Sequence, residues 1–138
     1  TFGTRGHSDI LAAFATPGHL LMHRQDSESH PDHQIARTNR EVAERYLDDT
    51  SAGFEIIDMP APSVLRDDEG FVDYSYINHV VLNGAVLACA FEDPADDQAL
   101  ATLREVYPGR TVIGIDARPL FARGGGIHCI TQQQPKVA

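Results

Sequence analysis

A cysteine near the end of the chain follows three consecutive glycines, in the stretch 124–129 that reads Gly-Gly-Gly-Ile-His-Cys. Glycines give the backbone freedom and let a ligand approach the chain without interference from a Cβ atom. A cysteine attacks electrophilic carbon as its thiolate, which forms most readily where positive charge or a base lowers the thiol pKa. We therefore predict that Cys129 is a nucleophile. Cys89 lies inside an apolar run and is predicted to be an inert core residue.

Near the start of the chain, a histidine and a carboxylate stand two positions apart, at His7 and Asp9. On a strand, residues at this spacing point to the same face. Histidine can act as a general acid and base, and a carboxylate can bind a cation through charge-assisted hydrogen bonds. His128 would point to the opposite face of any strand it shared with Cys129, so it is predicted to be structural.

The composition argues against several classes of partner. Lys and Arg number 11 against 20 for Asp and Glu, which gives a formal net charge of −9. Such a chain repels phosphate backbones and anionic lipid, so we expect neither nucleic acid nor a membrane as a partner. The two cysteines are too few for a disulfide framework and indicate a reducing, cytoplasmic compartment. The histidines lack the spacing and companion ligands of a metal site.

The elements that must position these residues occur in two rounds of the order strand–strand–helix–strand. The hairpin turns at Gly18 and Gly84 lie 66 positions apart, and such a repeat predicts a modular, propeller-like α/β architecture. The predicted elements are strands at 9–14 and 19–23, a helix at 32–48 and a strand at 54–59, then strands at 74–82 and 85–90, a helix at 94–107 and a strand at 111–115. A papain-like cysteine peptidase would explain neither this repeat nor the glycine run.

The stretch 124–135, which continues through Ile-Thr-Gln-Gln-Gln-Pro, resembles the C-terminal signature of the agmatine deiminases and the related bacterial peptidylarginine deiminases. Other stretches are similar to the same family in the same order, at 6–9, 76–86, 91–94 and 107–110. The resemblance implies an α/β fold, the pentein-type propeller of ββαβ modules. It also implies a single partial propeller domain over 1–138, with modules at about 7–60 and 72–116 and a closing catalytic strand at 124–135.

Members of this family hydrolyse a guanidinium group to a ureido group and ammonia, with no metal or organic cofactor. The resemblance implies that Cys129 is the nucleophile, that His7 is the general acid and base, and that Asp9 grips the guanidinium. The pocket wall would be formed by Gly124, Gly125 and Gly126. The expected reaction converts agmatine, a small cation, to N-carbamoylputrescine through a covalent thiouronium, which is a step toward putrescine and other polyamines. Peptidylarginine or another guanidinium compound is the alternative substrate.

Family members are much longer than this chain, and their first portion supplies a further aspartate in a Trp-containing motif and a glutamate that partners the histidine. This chain contains no Trp and nothing similar to either motif, and it begins at Thr1 rather than Met. We therefore expect it to need the N-terminal modules or a complementary chain, with homo-oligomerisation as a further option. The other hypothesis is an inactive fragment. An isolated piece would expose sheet edges and apolar faces.

Overall fold

The computed structural model describes residues 4–50 and 53–134, which form two units with the same strand connections. The first unit contains α1 (Ser8–Leu11), β1 (Ala12–Phe14), β2 (His19–Arg24), α2 (Asp32–Thr50) and β3 (Glu55–Pro60). A small hairpin follows, made of β4 (Arg66–Asp67) and β5 (Gly70–Phe71). The second unit contains β6 (Val80–Val81), β7 (Ala85–Ala90), α3 (Asp96–Val106) and β8 (Thr111–Asp116). The chain continues through α4 (Arg118–Phe121) to a 3-10 turn at His128–Ile130.

Each unit has a three-stranded sheet whose middle strand pairs in two different ways. The strand pairs antiparallel with the one before it and parallel with the one after it, so the sheet orders are β1-β2-β3 and β6-β7-β8. In the first sheet Leu21 lies opposite both Ala13 and Ile57. A parallel pair needs a crossover connection, which α2 and α3 supply. The predicted ββαβ repeat is thereby confirmed.

Both units contribute to one hydrophobic core. Leu21 and Met59 of the first sheet belong to the same buried cluster as Val86 and Leu103 of the second unit. Helix α3 lies close to its own sheet at Gly114, where an added Cβ would sit 3.2 Å from a Leu100 methyl carbon. The shared core fixes the position of the two units relative to each other. It therefore also fixes the distances between residues that different units carry.

Three predicted strands are wrong in whole or in part, because local turns, anchored by side-chain hydrogen bonds to distant segments, take the place of strand pairing. Residues 8–11 form a helical turn, so His7 and Asp9 do not share a strand face. Only residues 80–81 of the predicted strand 74–82 pair in a sheet, because the preceding residues form a buried loop. No strand occurs between residues 124 and 134, where the chain turns at 128–130 instead; position 135 lies outside the described residues.

Several large apolar side chains remain exposed on the described part of the chain. Phe14 is 71% exposed. The side chains of Ile113 on β8 and of Val42 and Tyr46 on α2 are exposed as well. Exposed apolar patches of this kind mark surfaces that other protein normally covers, as the sequence predicts for part of a propeller. No helix within residues 4–50 and 53–134 has the length and apolar character needed to cross a bilayer.

The buried ring of His23 makes the stability of the fold depend on pH. Burial, together with repulsion from His30, lowers the pKa of His23 to about 4, against about 6.5 for an unfolded imidazole. Between these values the unfolded chain binds a proton that the folded chain does not, so the free energy of unfolding rises with pH. We expect urea unfolding to show a loss on the order of 3 kcal/mol between pH 6.5 and pH 4 from this group.

The contribution of His23 can be isolated by substitution. His23→Gln should flatten the pH dependence of the unfolding free energy between pH 6.5 and pH 4, because the group that titrates is gone. The control is Gln34→Ala, which changes an exposed side chain that does not titrate and should leave the slope as it is. Equal slopes in all three proteins would contradict the assignment to His23.

Candidate active site

Three donors converge on a single carboxylate oxygen, Oδ2 of Asp9. His128 donates from Nδ1 at 2.8 Å, Asn78 donates from Nδ2 at 2.9 Å, and the Cys129 thiol donates from Sγ at 3.2 Å. An ionised carboxylate only accepts hydrogen bonds, so all three partners must direct protons toward it. The cluster joins residues that are up to 120 positions apart in the sequence.

Asp9 is held in place by the backbone of the helical turn that carries it. The neighbouring carbonyl of Ile10 accepts a hydrogen bond from Ser75 Oγ at 2.7 Å, and the Asp9 carbonyl accepts one from Asn78 at 3.3 Å. Partial burial would raise the pKa of the Asp9 carboxyl, but hydrogen bonds from His128, Cys129 and Asn78 outweigh burial and hold the pKa below its ordinary value. Asp9 is therefore an anion at neutral pH.

Cys129 lies on the 3-10 turn and is exposed. Its Sγ lies 3.2 Å from Asp9 Oδ2 and also 3.2 Å from Asn78 Nδ2. Partial withdrawal of the thiol from water raises its pKa, and the Asp9 carboxylate raises it further, while Asn78 and the Gly126 backbone act in the opposite direction. The thiol pKa stays above its ordinary value on balance, so this arrangement keeps the free protein in the thiol form at neutral pH.

The three glycines before the turn each serve a separate steric purpose. Gly124 has φ +100°, a backbone conformation that residues with a side chain rarely adopt. A Cβ on Gly125 would lie 2.8 Å from Cys129 Sγ, and a Cβ on Gly126 would overlap Asn78 Oδ1. The glycine run thus lets the chain approach the thiol and the amide more closely than any other residue would allow.

The structure brings together two of the three residues predicted to be catalytic. Cys129 and Asp9 are in contact, whereas the His7 ring is exposed and has no hydrogen-bond partner within residues 4–50 and 53–134. His7 caps α1, and its carbonyl accepts the Ile10 N–H at 3.1 Å. The prediction that His128 points to the face opposite Cys129 is wrong, because the two neighbouring residues lie on a tight turn rather than on a strand, and both side chains contact Asp9 Oδ2.

Sequence reasoning assigned no role to Asn78, although its amide contacts Asp9, Cys129 and His128. The residue lies in a stretch that carries the family resemblance, which is a signal that could have directed attention to it. Treating that stretch as a strand hid the fact that its polar side chains face other segments. Cys89, by contrast, is fully buried, and burial raises its pKa to about 12, so the prediction of an inert core cysteine agrees with the structure.

A cavity of about 360 Å³ opens beside Asp9 and His128 and offers room for a small ligand. Its wall also includes Phe14, His79 and Tyr107. Within the described ranges, no group of three or more His, Cys, Asp or Glu side chains has a geometry that would hold a metal ion. The described residues therefore offer a thiol beside an anion, and the anion, Asp9, also lines a cavity of small-molecule size.

Comparison with known proteins finds relatives along almost the whole chain. The family model of Porphyromonas-type peptidyl-arginine deiminase matches residues 1–135. A Streptomyces coelicolor protein provisionally named agmatine deiminase is 51% identical over 98% of this chain and 40% of its own length. An agmatine deiminase of Stutzerimonas stutzeri is 33% identical over 96% of this chain and 41% of its own length. The chain thus spans about two-fifths of the length of these curated relatives.

Solved structures give the same picture of the fold. A provisionally named arginine deiminase of Porphyromonas gingivalis matches with a TM-score of 0.82 and 29% identity, over 95% of this chain and 39% of the other. The agmatine deiminase of Enterococcus faecalis matches with a TM-score of 0.81 and 23% identity, over 95% of this chain and 40% of the other. The two ββαβ units are therefore part of an α/β propeller of the pentein type.

The close approach at Gly125 can be tested by adding one methyl group. In Gly125→Ala the new Cβ would overlap Cys129 Sγ, so the turn must shift, and we expect the free energy of unfolding to fall by about 1–3 kcal/mol. Gly84→Ala is the matched control, because a Cβ at that position meets no atom within 4 Å. Urea unfolding compares the two proteins, and equal stability would show that the space at Gly125 is not needed.

Proposed function

The chain belongs to the family of Porphyromonas-type peptidyl-arginine deiminases, and from this we propose that its site is part of a hydrolase that deiminates a guanidinium substrate. The observation that carries the proposal is the 3.2 Å contact between Cys129 Sγ and Asp9 Oδ2. A potential nucleophile and a cation-binding anion from opposite ends of the chain meet at one point. A guanidinium group needs both of these partners, because it is a resonance-stabilised cation with an electrophilic central carbon.

Recognition of the guanidinium is proposed to rest on Asp9. A guanidinium is planar and presents N–H donors in a geometry that matches a carboxylate. Asp9 is held as an anion, and its Oδ1 is buried with no hydrogen-bond partner in the described part of the chain. The carboxylate therefore has acceptor capacity that its protein neighbours do not use. The net charge of −9 favours the approach of a cation.

Catalysis is proposed to begin with Cys129. The thiol proton passes to His7, the thiolate forms a bond to the central guanidinium carbon, and the C–N bond to one nitrogen breaks as His7 gives that proton to the departing ammonia. The product of this step is a thiouronium on Cys129. His7 then removes a proton from water, whose oxygen bonds to the same carbon while the C–S bond breaks, which yields the ureido product and the free cysteine. His7 is assigned these proton transfers because it matches the family's motif.

The thiol is set to be activated by the substrate itself. In the free protein the Asp9 carboxylate raises the pKa of the Cys129 thiol. A bound guanidinium would offset the charge of Asp9 and place a positive charge next to Sγ, and both effects favour the thiolate. Binding and activation would therefore reinforce each other, and the exposed thiol would stay protonated until a cation arrives.

Agmatine is the substrate we propose, since the relatives from Streptomyces coelicolor and Stutzerimonas stutzeri carry its name. Peptidylarginine is the second candidate, because the matching family model is named for it. In either case the chain would act in the cytoplasm, where its two free cysteines remain reduced. In a cell that makes putrescine, agmatine deimination would supply N-carbamoylputrescine.

We further propose that the complete site needs protein beyond these residues. The chain spans about two-fifths of its curated relatives, and only one carboxylate, Asp9, contacts the thiol among the described residues. Additional modules, on the same chain or on a complementary chain, would supply more carboxylates for the substrate. They would also cover exposed apolar side chains such as Phe14 and Ile113.

Replacement of the nucleophile gives the first test. In protein that carries the additional modules, Cys129→Ala should reduce the release of ammonia from agmatine to the background rate, because no covalent intermediate can form. Cys89→Ser is the matched control, since it removes the other thiol of the chain, which is buried, and should retain turnover. Turnover by Cys129→Ala would refute the proposed mechanism.

A substrate panel and an intact mass separate the remaining alternatives. Agmatine should be deiminated faster than a peptide with an internal arginine, and the reverse order would identify peptidylarginine as the substrate.

The denaturing mass of the active material should include a second species or exceed 15.1 kDa, the mass of this chain. Full turnover by a lone 15.1 kDa chain would show that no further module is required.

A further inference from the structure

We propose that Asn83 is a site of spontaneous covalent modification, at which the side-chain amide is lost as ammonia and the residue becomes aspartate or isoaspartate. Asn83 and Gly84 form the turn between β6 and β7, and both residues are exposed. The reaction is intramolecular, because the backbone nitrogen of Gly84 attacks the side-chain carbonyl carbon of Asn83. Water is the only co-reactant, so the modification depends neither on an enzyme nor on the proposed function.

The modification proceeds in two steps. In the first, the Gly84 nitrogen loses its proton and bonds to Cγ of Asn83, while the C–N bond of the side-chain amide breaks. The leaving NH₂ group takes up a proton and departs as ammonia, and a cyclic succinimide remains. In the second step, water adds to one of the two ring carbonyls and the ring C–N bond at that carbonyl breaks. Opening at Cγ gives aspartate, whereas opening at the backbone carbonyl gives isoaspartate.

The peptide group that joins Asn83 to Gly84 is free to rotate into the geometry of attack. Neither its carbonyl nor its N–H has a hydrogen-bond partner among residues 4–50 and 53–134, and the Asn83 side chain has none there either. A nitrogen that made a hydrogen bond would have to break it before it could bond to Cγ. At Asn83 the reaction carries no such cost.

The turn is also more open than a tight Asn-Gly hairpin. A two-residue turn of type I′ needs a positive φ at both central residues, and neither Asn83 nor Gly84 has one. The Leu82 N–H donates to the Ala85 carbonyl at 2.8 Å, but these two described residues do not form the reverse bond. The Leu82 carbonyl instead accepts a hydrogen bond from the Arg110 side chain at 3.1 Å. One hydrogen bond therefore closes a turn that two would hold more firmly.

The surroundings favour Asn83 over the other two asparagines of the sequence. A Cβ added to Gly84 would meet no atom within 4 Å, so the turn projects into open space. Asn39, by contrast, lies inside α2 and is followed by an arginine, and Asn78 is fully buried. The N–H that follows Asn78, that of His79, donates to the Ile77 carbonyl at 2.8 Å. Only Asn83 combines exposure with an unbonded nitrogen on the next residue.

The products change both the backbone and the charge at this end of the second sheet. Isoaspartate adds one atom to the main chain of a turn whose Gly84 carbonyl accepts a hydrogen bond from the Thr111 N–H at 3.0 Å. Either product adds a carboxylate to a cavity of about 870 Å³ that Asn83 lines together with Gln133. Gln133 also lines the cavity beside Asp9. The modification therefore alters the charge of a surface that adjoins the candidate site.

Incubation of the protein, with any additional modules it carries, at mildly alkaline pH tests the proposal. Tryptic peptides are followed over time by mass spectrometry, which detects the exchange of NH₂ for OH, and electron-transfer fragmentation distinguishes isoaspartate from aspartate. No Lys or Arg occurs between positions 66 and 104, so Asn78 and Asn83 share a peptide and fragmentation assigns the change. Conversion at Asn83 should be at least about ten times faster than at Asn39 or Asn78, because glycine leaves the attacking nitrogen unhindered.

Two comparisons separate the effect of the fold from that of the dipeptide alone. The rate in the folded protein should lie within about threefold of the rate in guanidinium chloride, because no hydrogen bond has to break first. Gly84→Ala should slow conversion by about tenfold or more, since a side chain hinders the nitrogen. Gly53→Ala is the matched control, because a Cβ there also meets no atom within 4 Å, and it should keep the wild-type rate.

Two results would overturn the proposal. A folded rate below about one-tenth of the unfolded rate would show that the fold protects Asn83, and this comparison uses the unaltered protein, so it does not depend on the folding of a variant. An unchanged rate in Gly84→Ala would exclude attack by the Gly84 nitrogen. Both measurements follow the protein's own amide rather than turnover, so they are independent of whether the protein deiminates a guanidinium.

Discussion

The whole site depends on one carboxylate oxygen that accepts three hydrogen bonds. Asp9 Oδ2 receives donors from His128, Asn78 and Cys129, and these residues come from the buried loop before the second sheet and from the segment after it. No local structure could bring them together, because they are separated from Asp9 by 69 to 120 positions. The two units must first share a core. The contact between the thiol and the carboxylate is therefore a consequence of the complete fold.

The need to bring Asp9 and its three donors together explains several features of the sequence. The glycines make room for an amide and a thiol where a Cβ would collide with them. Ser75 ties its loop to the backbone beside Asp9. The combination gives a rigid frame in which a reactive group is exposed while its supporting residues are buried, as is typical of sites that must be organised before a ligand binds.

The repeat of strands and helices could be predicted from sequence because it depends on local information. Apolar periodicity and turn residues such as Gly18 and Gly84 mark the units directly. The helical turn at 8–11, the loop before β6 and the turn at 128–130 could not be predicted in this way. Their conformations depend on hydrogen bonds between distant residues, such as the one from Ser75 to Ile10, and no pattern within a short window reports them.

The same distinction applies to the residues of the site. Cys129 and Asp9 were found because a glycine run and a His-x-Asp spacing are visible in the sequence. His128 was assigned to the wrong side because neighbouring residues on a strand point in opposite directions, whereas on a 3-10 turn they are separated by about a third of a turn. Asn78 was missed because a buried asparagine carries no chemistry of its own, and its importance follows only from what it touches.

The distance between Asp9 and Cys129 along the chain has a practical consequence for judging whether the protein is intact. Both three-stranded sheets lie between residues 12 and 116, so most of the secondary structure lies outside the two segments that meet at the site. A displacement of the Asp9 or Cys129 side chain that leaves the core residues Ile10 and Ile127 in place would preserve much of the circular dichroism signal while separating the anion from the thiol. Secondary-structure content is thus a poor guide to the integrity of this protein, and the chemical behaviour of its exposed cysteine is a better one.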